Sequence, residues 1–301
     1  MEGVMLRGKD HWVVAVRRPD GEIVSQTKPI SPWSKNMLIL KKPILRGALA
    51  LVEAISLGVG ALSFSAQEST DEDIEIGAKE MTLTVIIGFG LALGLFFALP
   101  VWLIRLSHGL LDPIIPGGGW GKTVALNLAE GAVRLAIFFG YLVLVSRIKD
   151  IKRVFEYHGA EHKTIHAFEH GVEMEPERID AFSTQHVRCG TSFLLVVMVV
   201  AILVFSLLGR PDSILVRIAL RFMVLPLVAG ISYEVIKYAG RHEESRFVKI
   251  IMSPGLALQR LTTRPPSLDQ IEVALVSLNT LLAVEAESAR PPENGKLKVE
   301  K

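Results

Sequence analysis

Apolar residues in this chain gather into long blocks and do not alternate evenly with polar ones. A hydrocarbon core about 30 Å thick takes roughly 20 apolar residues to cross, and four blocks come to that length: 81–104, 123–146, 191–209 and 214–236. The first and third hold no Asp, Glu, Lys or Arg, whereas the second contains Glu130 and Arg134 and the fourth Arg217, Arg221 and Glu234. Charges at such depth are expected to face protein and not lipid. A fifth block, 47–66, is weakly apolar, rich in glycine and carries Glu53.

The Lys and Arg of the connecting segments decide the place of that fifth block. If it crossed, 147–190, with Arg147, Lys149, Lys152, Arg153, Lys163, Arg178 and Arg188, would lie outside the cytoplasm. Laid in the interface or dipping back, it keeps the N-terminal region, 147–190 and the C-terminal region in the cytoplasm. The outward segments 105–122 and 210–213 then carry only Arg105, Lys122 and Arg210. The expected fold is therefore mainly α: a polytopic helical membrane bundle of about four transmembrane helices. To it is added an interfacial or re-entrant amphipathic helix over 36–66, held on the inner leaflet by Lys35, Lys41, Lys42 and Arg46.

The ends are patterned differently. His11–Arg18 and Glu22–Lys28 flank Pro19-Asp20-Gly21, which predicts a β-hairpin in an N-terminal segment 1–35. Pro265-Pro266 stops the preceding segment. Ser267 and Gln270 then make a capping-box start for a helix in which Leu268, Ile271, Leu275, Leu278 and Leu282 share a face. The bundle is expected over 81–250, with a cytoplasmic His-rich helix at 147–171, a C-terminal cytoplasmic helical segment at 251–287 and a disordered tail at 288–301.

Half of the 301 residues are apolar and the formal charge is +2, with no basic run interleaved with aromatics, which argues against nucleic acid as a partner. The partner composition calls for is the lipid bilayer, with room for a protein partner at the cytoplasmic face. A single cysteine, Cys189, excludes an internal disulfide. The first forty residues lack the continuous apolar core of a secretory signal.

Chemistry concentrates in YHGAEHKTIHAFEH, residues 157–170, where His158, His162, His166 and His170 recur at a spacing of four. On a helix His158 and His162 are close enough to hold one ion, while His170 lies too far along the axis. His158-Gly-Ala-Glu161-His162 matches HxxEH, the reversed zincin motif, in which two imidazoles ligate zinc and the glutamate is a general base toward water. The motif needs a third ligand. Glu234, a costly intramembrane carboxylate unless a cation meets it, and Cys189, with His186 three residues before it, are the candidates for a divalent metal, expected to be Zn2+. His166, Glu169 and His170 read better as a solvated face. Deeper in the bundle, Glu130, Arg134, Arg217 and Arg221 are expected to cluster, as a structural clamp before an ion or anion pathway.

Several stretches together resemble the YqhQ-like family of bacterial membrane proteins: EGVMLRG (2–8), RRPDGEIV (17–24), NLAEGAVRLAIF (127–138), KDIKRVFEYHGAEHKTIHAFE (149–169), HVRCGTSFL (186–194), LPLVAGISYE (225–234) and PGLALQRLTTRPPSLDQIEVA (254–274). The resemblance implies a multi-pass protein of the bacterial inner membrane, and a metal-dependent enzyme through the same His and Glu residues. Two functional expectations follow. One is a zinc hydrolase acting on a peptide or lipid at the inner leaflet, with Glu161 activating water. The other is a non-catalytic assembly or interaction factor whose His/Glu cluster locks helices together. A transporter is a third.

Overall fold

The computed structural model describes residues 2–30, 44–69, 78–107, 115, 118–186, 189–242 and 245–289. Lys35, Lys41 and Lys42, expected on the inner leaflet, and the tail from residue 290 lie outside the described residues. The chain is mostly helical, with one antiparallel sheet of three strands, β1 (Gly3–Arg7), β2 (His11–Arg17) and β3 (Ile23–Pro29), in the order β1-β2-β3.

The expected hairpin is β2–β3. Gly21 takes the positive φ of 91° that the reversal needs, and Asp20 Oδ1 accepts the Glu22 N–H at 2.9 Å. β1 joins the other edge of β2 in the register Val4↔Ala15. Strand β2 is buried over all of Trp12–Val16 because both faces of the sheet are covered. Val4, Leu6, Val13 and Ala15 pack on α10 (Leu268–Ala289) and α5 (Lys149–Glu169). Trp12, Val14 and Val16 face Leu57, Ala61 and Phe64 of α1 (Leu45–Glu68). The continuous apolar run in β2 is the signature of a strand covered on both sides.

By length and composition four described helices can cross a membrane: Leu45–Glu68, Thr82–Leu106, Gly119–Val145 and Ile214–Arg241, with Gly190–Ser206 shorter at 17 residues. The first runs α1 along the sheet. Glu53 pairs with Arg7 at 2.7 Å and Glu68 with Arg18 at 2.6 Å. These two pairs stand fifteen residues apart, roughly 22 Å of helix axis. Its start packs on α8 (Ile214–Arg241), where Gly47 and Gly230 let the backbones meet: a Cβ on Gly230 would sit 2.3 Å from Ile44 Cγ2. A second stripe of α1, Leu45, Val52, Ile55 and Leu62, stays exposed.

The remaining bundle comprises α2 (Ala78–Leu93), continued through a π-helical turn (Gly94–Ala98) into α3 (Leu99–Leu106), α4 (Gly119–Val145), α7 (Gly190–Ser206) and α8. The π-turn has a sequence cause. Pro100 cannot donate to the Phe96 carbonyl four residues earlier, and Arg134 Nε of α4 bonds that carbonyl at 2.8 Å. Short α6 (Pro176–Ile179) lies between α5 and α7, and α9 (Arg246–Thr262) leads from the bundle to α10. α9 runs through the expected boundary at 250/251. It buries Val248, Met252 and Leu258 while Phe247, Ile250 and Ile251 are exposed. Half of the capping box forms, Ser267 N–H donating to Gln270 Oε1 at 2.9 Å, while the Gln270 N–H goes to the Ser267 carbonyl at 3.1 Å. Along α10, Ile271, Leu275 and Leu278 are buried, whereas Leu268 and Leu282 stand at the rim.

Candidate functional site

Helix α5 carries the histidine stripe, and two other segments are drawn onto it. The first follows α9. Arg264 N–H bonds the Phe155 carbonyl at 2.9 Å, and the strand-like residues there approach so closely that a Cβ on Gly159 would lie 2.0 Å from Arg264 O. The glycine between the two motif histidines is what admits this approach. It brings the Thr262 carbonyl within 2.8 Å of His158 Nδ1. The second segment lies between α6 and α7. Lys163 pairs with Asp180 at 2.6 Å, His162 Nδ1 meets the Thr184 carbonyl at 2.5 Å, and His166 Nε2 meets the Gln185 carbonyl at 2.7 Å. Buried Gln259 closes the arrangement, accepting the His186 N–H and donating to the His186 carbonyl, each at 2.8 Å.

A carbonyl can only accept, so these contacts fix the imidazole tautomers. His158 and His162 each carry a proton on Nδ1, and in the neutral ring Nε2 is left with a lone pair. The ligand atoms of His158, His162 and Cys189 all lie within 4.8 Å of one another, with His158 Nε2 at 3.2 Å from Cys189 Sγ. Cys189 also caps α7, its sulfur near the Thr191 hydroxyl at 2.8 Å and N–H at 3.4 Å. Burial alone raises the thiol pKa. Hydrogen bonding and charge from His162, in the form of that ring protonated on both nitrogens, together with both Thr191 donors, outweigh it and hold the thiol below its ordinary value. With both rings neutral, two lone pairs and the Cys189 sulfur converge, and one thiol proton cannot satisfy both nitrogens. A divalent cation can, and two imidazoles with a thiolate suit zinc while leaving a fourth position for water. Backbone carbonyls orienting both rings are the outer support such ligands ordinarily have.

Glu161 sits on the same helix between the two histidines. Burial pushes its carboxyl above the ordinary carboxylate range, with the nearby His158 opposing, and no hydrogen bond or ion pair engages it among the described residues.

A second group lies one step along the stripe. The ligand atoms of His166, Glu169 and His186 also fall within 4.8 Å of one another, and Glu169 Oε2 stands 3.1 Å from His186 Nε2. The sequence put His186 beside Cys189 and left His166 and Glu169 on a solvated face. The long-range signal that unites them is Gln259, whose side chain fixes the loop bearing His186. His170 belongs to neither group, bonding the His166 carbonyl through Nδ1 at 2.8 Å and lying against Phe182. Nor does Glu234, whose cation is Arg46 of α1 at 2.6 Å.

The deep cluster forms at the other end of the bundle. Glu130 is fully buried between Arg134 and Arg221, with Arg221 Nη2 at 2.7 Å and Arg134 Nη2 at 3.1 Å. Arg217 is buried beside them and bonds the Pro211 carbonyl at 2.9 Å.

Three comparisons bear on this geometry. The family model described as a protein of unknown function, DUF1385, matches residues 42–284. An uncharacterized protein, YqhQ of Bacillus subtilis (strain 168), is 35% identical over 315 aligned residues, covering 98% of this chain and 95% of the relative. No solved structure matches.

Proposed function

As a member of the DUF1385 family, the chain has YqhQ-like kinship but no chemistry assigned through it, and from its own residues we propose a membrane-embedded metal-dependent enzyme, most simply a zinc hydrolase. The observation that carries the reading is the convergence of His158, His162 and Cys189 within 4.8 Å, with both histidine tautomers fixed to leave Nε2 as a donor of electrons. When bound there, a zinc ion supplies Lewis acidity. The chain's residues do the rest. Thr262 and Thr184 carbonyls hold the two rings, Cys189 supplies the softer ligand, and Glu161 takes the proton of an attacking water. A base works best when its pKa lies near the working pH, and the burial that raises Glu161 moves it in that direction.

The orientation that places this chemistry at the inner leaflet rests on charge. The loops around α5 are rich in Lys and Arg, and a α1 that lies on the sheet leaves four crossings, so both ends share the cytoplasmic side of the bacterial inner membrane. The 17 residues of α7 reach the lower end of a spanning length. A bond in a lipid or a membrane-associated peptide is then the substrate class within reach.

A second reading has its own observation. His162 and His166 bond consecutive carbonyls of the loop before α7, which is also how a structural staple in an assembly factor is built. The two readings part on Glu161. Total inner-membrane lipid and a peptide library are incubated with zinc-loaded protein and its Glu161→Gln variant, and products are read by mass spectrometry. Turnover by the native chain, lost in the variant at equal zinc content, supports the enzyme. Identical product profiles in both leave only the staple.

A further inference from the structure

The far end of the bundle holds more positive charge than the clamp can use. Four guanidiniums, Arg134, Arg210, Arg217 and Arg221, act on Glu130, which is, among the described residues, the one carboxylate buried between them. Arg105 and Asp212 also act on Arg217, one of each sign, and so leave the excess unchanged. Glu130 is committed to Arg134 and Arg221, whose guanidiniums also stand 5.4 and 5.5 Å from the Phe205 ring. Among the described residues, therefore, no carboxylate is hydrogen-bonded or ion-paired to Arg210 or Arg217. Arg210 spends one nitrogen on Asn127 Oδ1 at 3.2 Å and Arg217 one on the Pro211 carbonyl at 2.9 Å. Among the described residues, Arg210 Nη2, Arg217 Nε and Arg217 Nη1 are buried with no hydrogen-bond partner, and Arg217 is only 7% exposed.

Buried guanidinium N–H groups without acceptors are costly, and a neighbouring like charge adds to the cost. An acceptor-rich anion would complement these N–H groups. We propose that Arg210 and Arg217 form a binding site for a phosphoryl oxyanion at the end of the bundle opposite the histidines. Planar guanidinium forks match the oxygens of such a group, and Asn127, itself held by the Leu208 carbonyl at 2.8 Å, sets the angle of Arg210. The depth fits a lipid headgroup. Trp102 and Trp120 are exposed on the helices that reach this end, as aromatic side chains are at a membrane–water boundary. Inorganic phosphate offers the same oxygens, so the test separates the two sources. The site lies about 25 Å from Cys189, the length of α7, and does not depend on the proposed metal chemistry.

The full chain in lipid-free neutral detergent is melted with sodium phosphate, with sodium chloride at matched ionic strength, with phosphatidylglycerol in mixed micelles, and with a neutral glycolipid lacking phosphate. A phosphoryl-bearing probe should raise the melting temperature by about 4 °C or more over its phosphate-free control. A shift with both probes assigns the site to the phosphoryl group itself, and a shift with phosphatidylglycerol alone assigns it to a lipid headgroup. In Arg217→Gln and Arg210→Gln the shift should fall by more than half, while zinc content stays native. If Arg217→Gln does not melt cooperatively, the half-exposed Arg210 carries the comparison. No shift with either probe overturns the proposal, as does a full shift retained in the variants.

Discussion

Gly159→Ala tests whether the close approach behind the motif helix is what positions His158. The added Cβ would lie 2.0 Å from Arg264 O, against the 3.4 Å at which ordinary contact begins, so α5 and the extended segment at Arg264 must part by 1.4 Å. The obstacle is backbone and cannot swing away. Overpacking of this kind costs about 1–3 kcal/mol, and the Arg264 N–H bond to Phe155 O, worth about 1 kcal/mol net, is stretched or lost. Alanine returns about 1 kcal/mol of helix propensity, so the net loss is roughly 1–3 kcal/mol. The same movement draws the Thr262 carbonyl away from His158 Nδ1. Loss of such outer support lowers metal affinity about 10–100-fold. Thermal unfolding in detergent reads the first effect and competition with a chromogenic zinc chelator the second. Gly140→Ala, where nothing lies within 4 Å, is the control and should be neutral or slightly stabilising. A Gly159→Ala protein with native melting temperature and native zinc affinity would refute the reasoning.

Other perturbations follow from the same packing. Gln259→Leu removes three buried hydrogen bonds, two to His186 and one to Ser192 Oγ; it should cost about 2–4 kcal/mol and make the 180–186 segment an early cleavage site in limited proteolysis. Glu130→Ala leaves Arg134 and Arg221 buried without a counter-charge. About 3–5 kcal/mol is expected, seen as a fall of roughly 10 °C in melting temperature. Glu285 accepts the N–H groups of Asp10 and His11, which hold its carboxyl below the ordinary range. A depressed carboxyl stabilises above its unfolded pKa, and the gain is lost as pH falls through the folded value. Glu285→Gln should therefore lose less stability than the native chain on acidification below the ordinary carboxylate range, measured by melting temperature against pH.

Much of this was legible in the chain because lipid imposes a strong pattern. Four long blocks and their Lys/Arg-rich connections give the bundle, and Pro19-Asp20-Gly21 gives the hairpin. Strand β1 was missed because five residues, GVMLR, carry too little periodicity to stand out without their partner strand. Block 47–66 was ambiguous for a physical reason: α1 has one apolar stripe on the sheet and another exposed, so its hydropathy matches a crossing helix. Glu234 illustrates a sound principle meeting an unforeseen partner. Its carboxylate does meet a cation, but that cation is Arg46, 188 residues away in sequence. Cys189 and His158 come together across 31 residues, and His166, Glu169 and His186 across a loop whose course depends on Gln259. Spacing along one helix shows which histidines share a face and not which loop returns to them.

The central claim is that the Cys189 sulfur and the two motif imidazoles hold one ion. Cobalt substitution tests it most directly, because a thiolate bound to Co2+ gives an intense near-ultraviolet charge-transfer band that imidazole and carboxylate ligands do not. The native chain should bind cobalt with this band. Cys189→Ser should abolish it, His162→Ala should weaken cobalt binding at least tenfold, and His166→Ala should leave the band intact. A native chain that binds no cobalt, or binds it without a thiolate band, contradicts the account.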